Sequence, residues 1–546
     1  MPNYLHLSDA RKSGLALSLI SGAMLGAAFP PSPFYLIAYV AFVPFFFLWL
    51  RLENLGIYVR YLYVQLFAFH LVCVYWTGGW AVGKDGWLML SNLALLFLHP
   101  FLFVPFLIPA HFVRKRLGFI WGIAAFSLLW VSVEYWNAYG DLSFPWMTIG
   151  NSQSFDLARI QVAEFTSAFG LSFLILACNG LTFLLILKLG KEWKLKSTKS
   201  SIAFSLLVVL FFGPLIYGNA YLAHRARPRE KIVLALIQPN FDPWEKWGEG
   251  SESKSQSYEM QFNAFISTSH ELADRKPDLI IWPETAIPFY VFQPKFAREL
   301  ARMRALVDSI GIPILAGMPY AEYLDASKAS ATAHRFEGSN IAVESYNSAT
   351  LFVPRQTTNS IYKKIVLVPF GERLPYAETL KFLIEPLKWN VGISSWGRGK
   401  DTLIFGFKPN KTDSVKFGGM ICYESVYPDY VREFVRKGAQ FLVIITNDSW
   451  WGRTSGAYQH AAFASLRAVE TRRWVVQCAN GGISMFVDQF GIQHQRSELY
   501  TAQTLLGAVE LGDGETFYVK HGDLFAQGCV LGGVVLVLYA FVKRRV

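Results

Sequence analysis

The sequence is poor in charge. Only 17% of its 546 residues are Asp, Glu, Lys or Arg, against about 25% in an ordinary soluble domain. With 53% hydrophobic and 16% aromatic residues, a chain this long is not one soluble domain and reads as an integral membrane protein. Several catalytic signatures are also missing. There is no Gly-x4-Gly-Lys-Ser/Thr loop, no His-Glu-x2-His, no Cys-x2-Cys and no Gly-x-Ser-x-Gly. His270-Glu271 is followed by Asp274 where a second metal-binding histidine would stand. Nucleotide, zinc and serine-hydrolase chemistry therefore lack a sequence basis, and no metal or other cofactor is expected. Cysteine is scarce, at five in the chain. Cys73, Cys178 and Cys529 lie in apolar runs as small packing residues, which leaves Cys422 and Cys478 elsewhere.

What is abundant is long apolar sequence. Runs at 14–30, 34–51, 58–80, 88–112, 118–137, 162–187, 201–222 and 524–542 each approach the ~20 residues that cross ~30 Å of hydrocarbon as a helix. Residues 228–515 hold no comparable run and carry most of the acidic residues. The expected organisation is a seven-span region over 1–227, a folded segment over 228–515, and a last span with a basic tail over 516–546.

The basic residues sort the loops. Arg11 and Lys12 precede the first run, Arg51 and Arg60 flank the second loop, Arg114-Lys115-Arg116 fills the fourth, and a lysine-rich stretch over 188–199 fills the sixth. Lys543-Arg544-Arg545 closes the chain, while the alternate loops are nearly free of Lys and Arg. The positive-inside rule then puts both termini in the cytoplasm and 228–515 on the far side, the periplasm of a Gram-negative cell. The net charge of +11 reads as orientation and attraction to anionic headgroups, not as nucleic-acid binding. Residues 14–30 also fit a cleavable signal peptide, but retention gives the even number of spans that returns the basic C-terminus to the cytoplasm.

Within 228–515, short β-rich runs alternate with helical stretches. Strands are expected at 231–238, 278–282, 312–318, 349–353, 415–422, 441–446 and 474–478, several continuously apolar and so buried on both faces. Helices are expected at 261–274, 295–310, 427–437 and 459–472. The fold class is an α/β layered domain beside a helical membrane bundle. The stretches 249–257 and 325–339 read as surface loops. Leu380, Leu383, Ile384 and Leu387 recur at helical spacing, followed by Trp389, Ile393 and Trp396. This 377–396 segment is either a helix packed on the core or an amphipathic arm touching the bilayer.

Three strand ends carry reactive groups. Cys422 stands where the run Gly418-Gly419-Met420-Ile421 stops, and its rival reading is a disulfide with Cys478. A cysteine nucleophile needs a nearby base or cation, since a free thiol is only a few per cent ionised at neutral pH. Glu284 follows Leu279-Ile280-Ile281-Trp282-Pro283, where partial burial raises a carboxylate into the range of a base. An N-cap or a surface acid is the alternative. Lys364 can neutralise a developing oxyanion, although a lone lysine is by default a solvated one.

Together these residues resemble the nitrilase superfamily, and within it the membrane branch of apolipoprotein N-acyltransferases. Trp282-Pro283-Glu284-Thr285-Ala286-Ile287-Pro288 is similar to that family's glutamate motif. Lys364 with Leu367-Val368-Pro369-Phe370-Gly371-Glu372 is similar to its lysine motif. Cys422-Tyr423-Glu424 and Thr446-Asn447-Asp448-Ser449-Trp450-Trp451 resemble the cysteine region, and Gln238-Pro239-Asn240 with Lys246-Trp247 the opening strand and tryptophan loop. Gln477-Cys478-Ala479-Asn480-Gly481-Gly482 departs from the usual Thr-Asn-Thr-Gly form, which bears on local packing.

The resemblance implies an α-β-β-α sandwich joined to eight spans. It implies Cys422 as nucleophile, Glu284 as general base and Lys364 as oxyanion stabiliser, with Glu372 supporting them. Tyr423 and Glu424 adjoin the nucleophile, while Trp247 and Asn347 are substrate-binding or supporting residues. The implied reaction moves an acyl chain from a phospholipid, through a thioester, to the amine of a diacylglyceryl apolipoprotein, with ping-pong kinetics, by a monomer. Two other readings stand beside it: a membrane-anchored amidase that passes the acyl group to water, and a transporter or receptor in which Glu134 and Glu164 face a pathway inside the spans.

Overall fold

The computed structural model describes residues 7–83, 85–192, 198–223, 230–243, 252–384, 395–409 and 413–543. They fall into two compact units. The first combines Met1–Gly78, Leu88–Ala226 and His521–Val546, and the second combines Gly79–Trp87 with Arg227–Lys520. The short segment Gly79–Trp87, which lies between two apolar helices in sequence, thus belongs with the folded unit.

The first unit holds α1 (Leu7–Ala27), α2 (Val43–Trp49), α3 (Leu55–Val74), α4 (Gly86–Leu117), α5 (Phe119–Trp136), α6 (Ala163–Glu192) and α7 (Thr198–Ala223). Among the described residues, six helices are long and apolar enough to cross a membrane: Leu55–Gly78, Gly86–Leu117, Phe119–Trp136, Arg159–Lys188, Ser200–Ala223 and Leu524–Val542. The first two of the eight expected spans fall outside this set. One lies on α1. The other is the shorter apolar stretch Tyr35–Trp49, where a 3-10 turn, Tyr35–Val40, gives way to α2 with Pro44 in its first turn. Proline supplies no N–H, so it fits the first turn of α2, where that group would have no partner within the helix.

The polar groups exposed by that break are met by side chains. The Phe42 N–H donates to Asn179 Oδ1 at 2.8 Å, and Asn179 Nδ2 donates to the Ala38 carbonyl at 2.7 Å. Irregular backbone in an apolar setting persists where protein groups satisfy it. Glu134 likewise accepts from Trp130 Nε1 at 2.9 Å and from the Ile149 N–H at 2.8 Å, and Glu164 accepts from the Tyr217 hydroxyl. Both acids are thus held by neighbouring side chains or backbone.

The second unit contains two sheets. The first runs β13 (Gln503–Glu510), β1 (Lys231–Gln238), β2 (Leu279–Ile281), β3 (Ile314–Asp325), β5 (Ile341–Phe352), β4 (His334–Arg335), with β6 (Ser360–Lys363) also paired to β5. The second runs β12 (Gln493–His494), β11 (Met485–Val487), β10 (Val475–Ala479), β9 (Phe441–Thr446), β8 (Val415–Ile421), β7 (Ile404–Phe407). The centres β1–β2–β3 and β8–β9–β10 are parallel, and their middle residues are mostly apolar and buried, as cover on both faces requires.

Helices cover the outer faces. From α8 (Glu252–Ala273) and α9 (Ala297–Ile310), Phe262, Phe265, Met303 and Leu306 join a core with Ile280, Trp282, Ile314 and Ala316. On the second sheet, α10 (Pro428–Arg436) sits so close that a Cβ at Gly418 would lie 2.6 Å from Phe434 Cβ. The inner faces meet directly: Cys478 Sγ in β10 lies 3.5 Å from the Ile237 carbonyl and 3.3 Å from the Ile281 carbonyl. The layers are therefore helix, sheet, sheet, helix.

Some expectations need correction. The helix α8 begins at Glu252, so the loop expected over 249–257 is helical from that residue on. The loop expected over 325–339 contains β4. The polar first half of β5, the inner strand β11 and the peripheral strands β6, β7, β12 and β13 had no expectation. In the 377–396 segment the described residues form a 3-10 turn, Lys381–Leu383, not a regular helix, and Ile384 packs with Leu374 and Ala377 in a small satellite core. Residues 385–394, including Leu387, Trp389 and Ile393, lie outside the described residues.

Candidate active site

The ends of the parallel strands converge on one place, the carboxyl edge where ligands gather in open α/β sheets. Cys422 follows β8 immediately and opens a 3-10 turn, Cys422–Val426. Its φ is +53°. A β-carbon in the left-handed region costs about 1–3 kcal/mol and persists only where the surroundings hold it. Cys422 is buried, and so is Cys478. Both are free thiols, so the disulfide reading fails: the Cys478 sulfur faces the carbonyls of the opposite sheet.

Glu284 lies just beyond β2, and the chain turns sharply there, with Thr285 at φ +50°. That turn passes over β3 at Gly317. A Cβ on Gly317 would lie 2.6 Å from the Pro283 carbonyl oxygen and 2.7 Å from Glu284 Cα, so only glycine fits under this bend. Lys364 lies next to β6, and its backbone N–H donates to the Asn347 carbonyl at 2.8 Å.

Glu284, Asn347, Lys364 and Glu372 form one buried network. Lys364 Nζ lies 2.8 Å from Glu372 Oε1 and 3.6 Å from Glu284 Oε1. Asn347 Nδ2 donates to both carboxylates, at 2.7 Å to Glu284 Oε1 and 3.1 Å to Glu372 Oε1. Glu372 Oε2 accepts the Val368 N–H at 2.9 Å. One cation between two carboxylates leaves the cluster an excess of negative charge.

The electrostatics follow from burial. Burial raises Glu284 above the ordinary carboxylate range, Lys364 opposes this, and Glu372 adds to it. Burial alone would lower Lys364, but the Glu372 and Glu284 carboxylates outweigh it and hold the ammonium above its ordinary value. Burial pushes the Cys422 thiol well up, Glu284 pushes it further, and Lys364 pulls it back. The arrangement sets a buried thiol, pushed above its ordinary range, in the field of a carboxylate of raised basicity and a fixed cation, which suits proton transfer from sulfur at the moment of attack.

Glu424 performs a different task from its neighbours. It is fully buried, and its carboxylate collects donors. Oε1 accepts from the Tyr362 hydroxyl at 2.6 Å, the Ile365 N–H at 2.7 Å, the Val366 N–H at 3.1 Å and the Tyr430 hydroxyl at 3.2 Å. Oε2 accepts from the Ile421 N–H at 2.8 Å. It thereby ties the chain after Lys364 to the turn that carries Cys422. Tyr423 is buried and packs edge-on against Tyr427 at 5.2 Å. Trp247 lies outside the described residues.

Sequence reasoning gave no role to three further side chains. Ser425 and His460, the latter on α11 (Ser455–Thr471), meet at the Cys422 carbonyl, and Asp448 lies behind His460. Cys422, Asp448 and His460 place a sulfur, an oxygen and a nitrogen within 4.8 Å of one another, one such group among the described residues. Both His460 nitrogens already face hydrogen-bonding partners, so the set is a hydrogen-bond network in this structure. The signal available in sequence was a histidine on a helix whose surface is buried nearly all round.

The carbon-nitrogen hydrolase family matches residues 234–517, and the apolipoprotein N-acyltransferase N-terminal domain matches residues 21–181. A protein of Chlorobaculum tepidum named apolipoprotein N-acyltransferase is 33% identical over 97% of this chain and 97% of its own length. Its namesake in Geobacter metallireducens is 31% identical over 97% of this chain and 96% of its own. Among solved structures, an amidase from Nesterenkonia sp. AN1 covers 54% of this chain and 99% of its own at 14% identity, with a TM-score of 0.37.

Proposed function

The chain belongs to the apolipoprotein N-acyltransferase family, and from that premise we propose that it moves a fatty acyl chain from a membrane phospholipid to the α-amino group of an N-terminal diacylglyceryl-cysteine, through a thioester on Cys422. The observation that carries this reading is the buried Glu284–Lys364–Glu372 cluster, whose Glu284 and Lys364 charges act on the free, buried Cys422 thiol.

Glu284 takes the Cys422 proton as the sulfur attacks the ester carbonyl. Charge develops on the carbonyl oxygen, and Lys364 Nζ meets it in a site closed to water, where such an interaction is strongest. Collapse breaks the ester C–O bond. The lysophospholipid alkoxide takes the proton back from Glu284, and the acyl group stays on sulfur. In the second half the acceptor amine attacks the thioester and Glu284 takes its proton; the C–S bond breaks to give an amide, and the departing Cys422 sulfur takes that proton back from Glu284. Two easier steps replace one difficult one, and the two substrates exchange in ping-pong order.

The apolar helices suit lipid substrates. The reading retains eight spans, with α1 and Tyr35–Trp49 completing the set, both termini in the cytoplasm, the folded unit in the periplasm, and a monomer. Charge asymmetry between loops supports this orientation. A protease added outside spheroplasts should cut the exposed 325–339 region, and full protection there would reverse the orientation.

The test of the reaction is mass spectrometry of Cys422 after exposure to an acyl-labelled phosphatidylethanolamine. An acyl thioester on Cys422, discharged as amide to a diacylglyceryl lipopeptide, is the expected result. In Cys422→Ala both signals should vanish while the protein remains folded. Free fatty acid as the sole product would favour the amidase reading, and labelled enzyme persisting in Cys422→Ala would remove Cys422 as nucleophile.

A further inference from the structure

The Ser425–His460–Asp448 chain is the strongest feature that the proposed reaction does not use. His460 Nδ1 lies 2.9 Å from Asp448 Oδ1. His460 Nε2 lies 2.8 Å from Ser425 Oγ and 3.2 Å from the Cys422 carbonyl oxygen. Ser425 Oγ donates to that same carbonyl at 2.9 Å. All three side chains are buried, and Thr446 Oγ1 donates to Asp448 Oδ1 at 3.0 Å from the end of β9.

The order Asp, His, Ser is that of a serine-hydrolase triad, but its target differs. A nucleophilic serine must present Oγ to substrate. Here Oγ is spent on the backbone carbonyl of the cysteine turn, and Ser425 is 2% exposed. The network ends on the Cys422 carbonyl. That is the group which must be fixed if a residue at φ +53° is to keep its side chain on one bearing.

We propose that His460 is a positioning residue for the nucleophile: it joins the β9 loop, through Asp448, to the Cys422 carbonyl and so sets the direction of Sγ. The claim rests on the Cys422 thioester reading and deepens it. Three elements meet in the arrangement, β8 with its turn, the loop after β9, and α11, and His460 is the side chain that touches partners on both of the other two. Asp448 also pushes the Cys422 thiol up, so its carboxylate must be engaged by a partner as well as held in place.

The test compares His460→Ala, His460→Gln and His460→Asn in the full-length protein in detergent. A glutamine amide can reach where Nε2 stands and donate to the Cys422 carbonyl. An asparagine amide is shorter and reaches only toward Asp448. Thioester formation from acyl-labelled phosphatidylethanolamine should fall about 10- to 100-fold in His460→Ala with KM little changed, the size expected when a reacting atom is misplaced by about 1 Å. His460→Gln should recover most of the rate and His460→Asn should not.

Alkylation of Cys422 by iodoacetamide in the folded protein needs no lipid and should fall in the same order, which separates this claim from the acyl-transfer reading. Wild-type thioester rates in His460→Ala would overturn it. So would equal loss in the Gln and Asn variants with an unchanged alkylation rate. Acyl label on Ser425 in Cys422→Ala would overturn it too, since Ser425 would then be a nucleophile and His460 its base.

Discussion

Replacing Glu424 by glutamine tests whether the tie between the lysine segment and the cysteine turn matters. Every described partner of that carboxylate is a donor: three backbone N–H groups and the hydroxyls of Tyr362 and Tyr430. Such a set calls for an ionised acceptor with two oxygens. In Glu424→Gln one oxygen becomes an NH2. In its better orientation the amide oxygen keeps the four donors on the Oε1 side, and the NH2 meets the Ile421 N–H head-on. A buried donor left unsatisfied costs about 1–3 kcal/mol, and bonds that were charge-assisted lose roughly 1 kcal/mol each when the charge goes. The sum is about 5–7 kcal/mol. The other orientation strands more donors and is worse.

A loss of that size should lower the thermal midpoint of the folded unit by about 10 °C. If about 2 kcal/mol of it is expressed in the transition state, thioester formation slows about 30-fold. The assays are thermal unfolding in detergent and single-turnover acylation of Cys422 from labelled phospholipid. Burial also raises Glu424 above the ordinary carboxylate range, opposed by the Tyr362 and Ile421 bonds. A native state holding Glu424 protonated would accept glutamine with little change. Wild-type stability together with a wild-type acylation rate would therefore refute the argument from an ionised clamp.

Two further outcomes follow from the same geometry. The Glu372 carboxylate helps to raise Glu284, and a general base works only when ionised, so activity is lost as pH falls through the Glu284 value. Glu372→Gln should move the acid limb of thioester formation to lower pH, and a limb that stays in place or moves up would contradict the coupling. Gly317→Ala should cost about 1–3 kcal/mol of overpacking beneath Glu284 and slow acylation at least about tenfold, with iodoacetamide alkylation of Cys422 slowed alongside it, since both need the sulfur deprotonated. Unaltered acylation would mean that the bend at Glu284 has room to shift.

How far the sequence disclosed this arrangement depended on the type of element. β1 and β9 were readable to the residue because a strand buried on both faces is an unbroken apolar run. β13 and the start of β5 were not. Gln503–Glu510 is a half-exposed edge strand, and Ile341–Phe352 carries Glu344, Asn347 and Ser348 inward, so neither shows the pattern that periodicity detects. Yet β5 is what brings Asn347 between Glu284 and Glu372. The boundaries of the apolar runs were legible, but Tyr35–Trp49 shows why length in sequence overstates length in helix: Pro44 and a 3-10 turn divide a run that composition alone reads as one.

Cys422 and Glu284 were legible because each follows an apolar strand, and a strand end can be seen from a run that stops; Lys364 follows the short edge strand β6, which has no such run, and was legible only through its motif. What restrains them was not. Strand order sets β8 beside β9, so the loop after β9 and the turn after β8 become neighbours. The helix that follows then lays His460 against a carbonyl 38 residues earlier in the chain. No spacing rule encodes that contact, since it exists only once the parallel pairing has formed. The left-handed backbone at Cys422 is thus a local cost imposed by the sharp exit from β8 and offset by groups remote in sequence. Substitutions in α11 should therefore reach Cys422 through its backbone carbonyl, without touching Glu284 or Lys364.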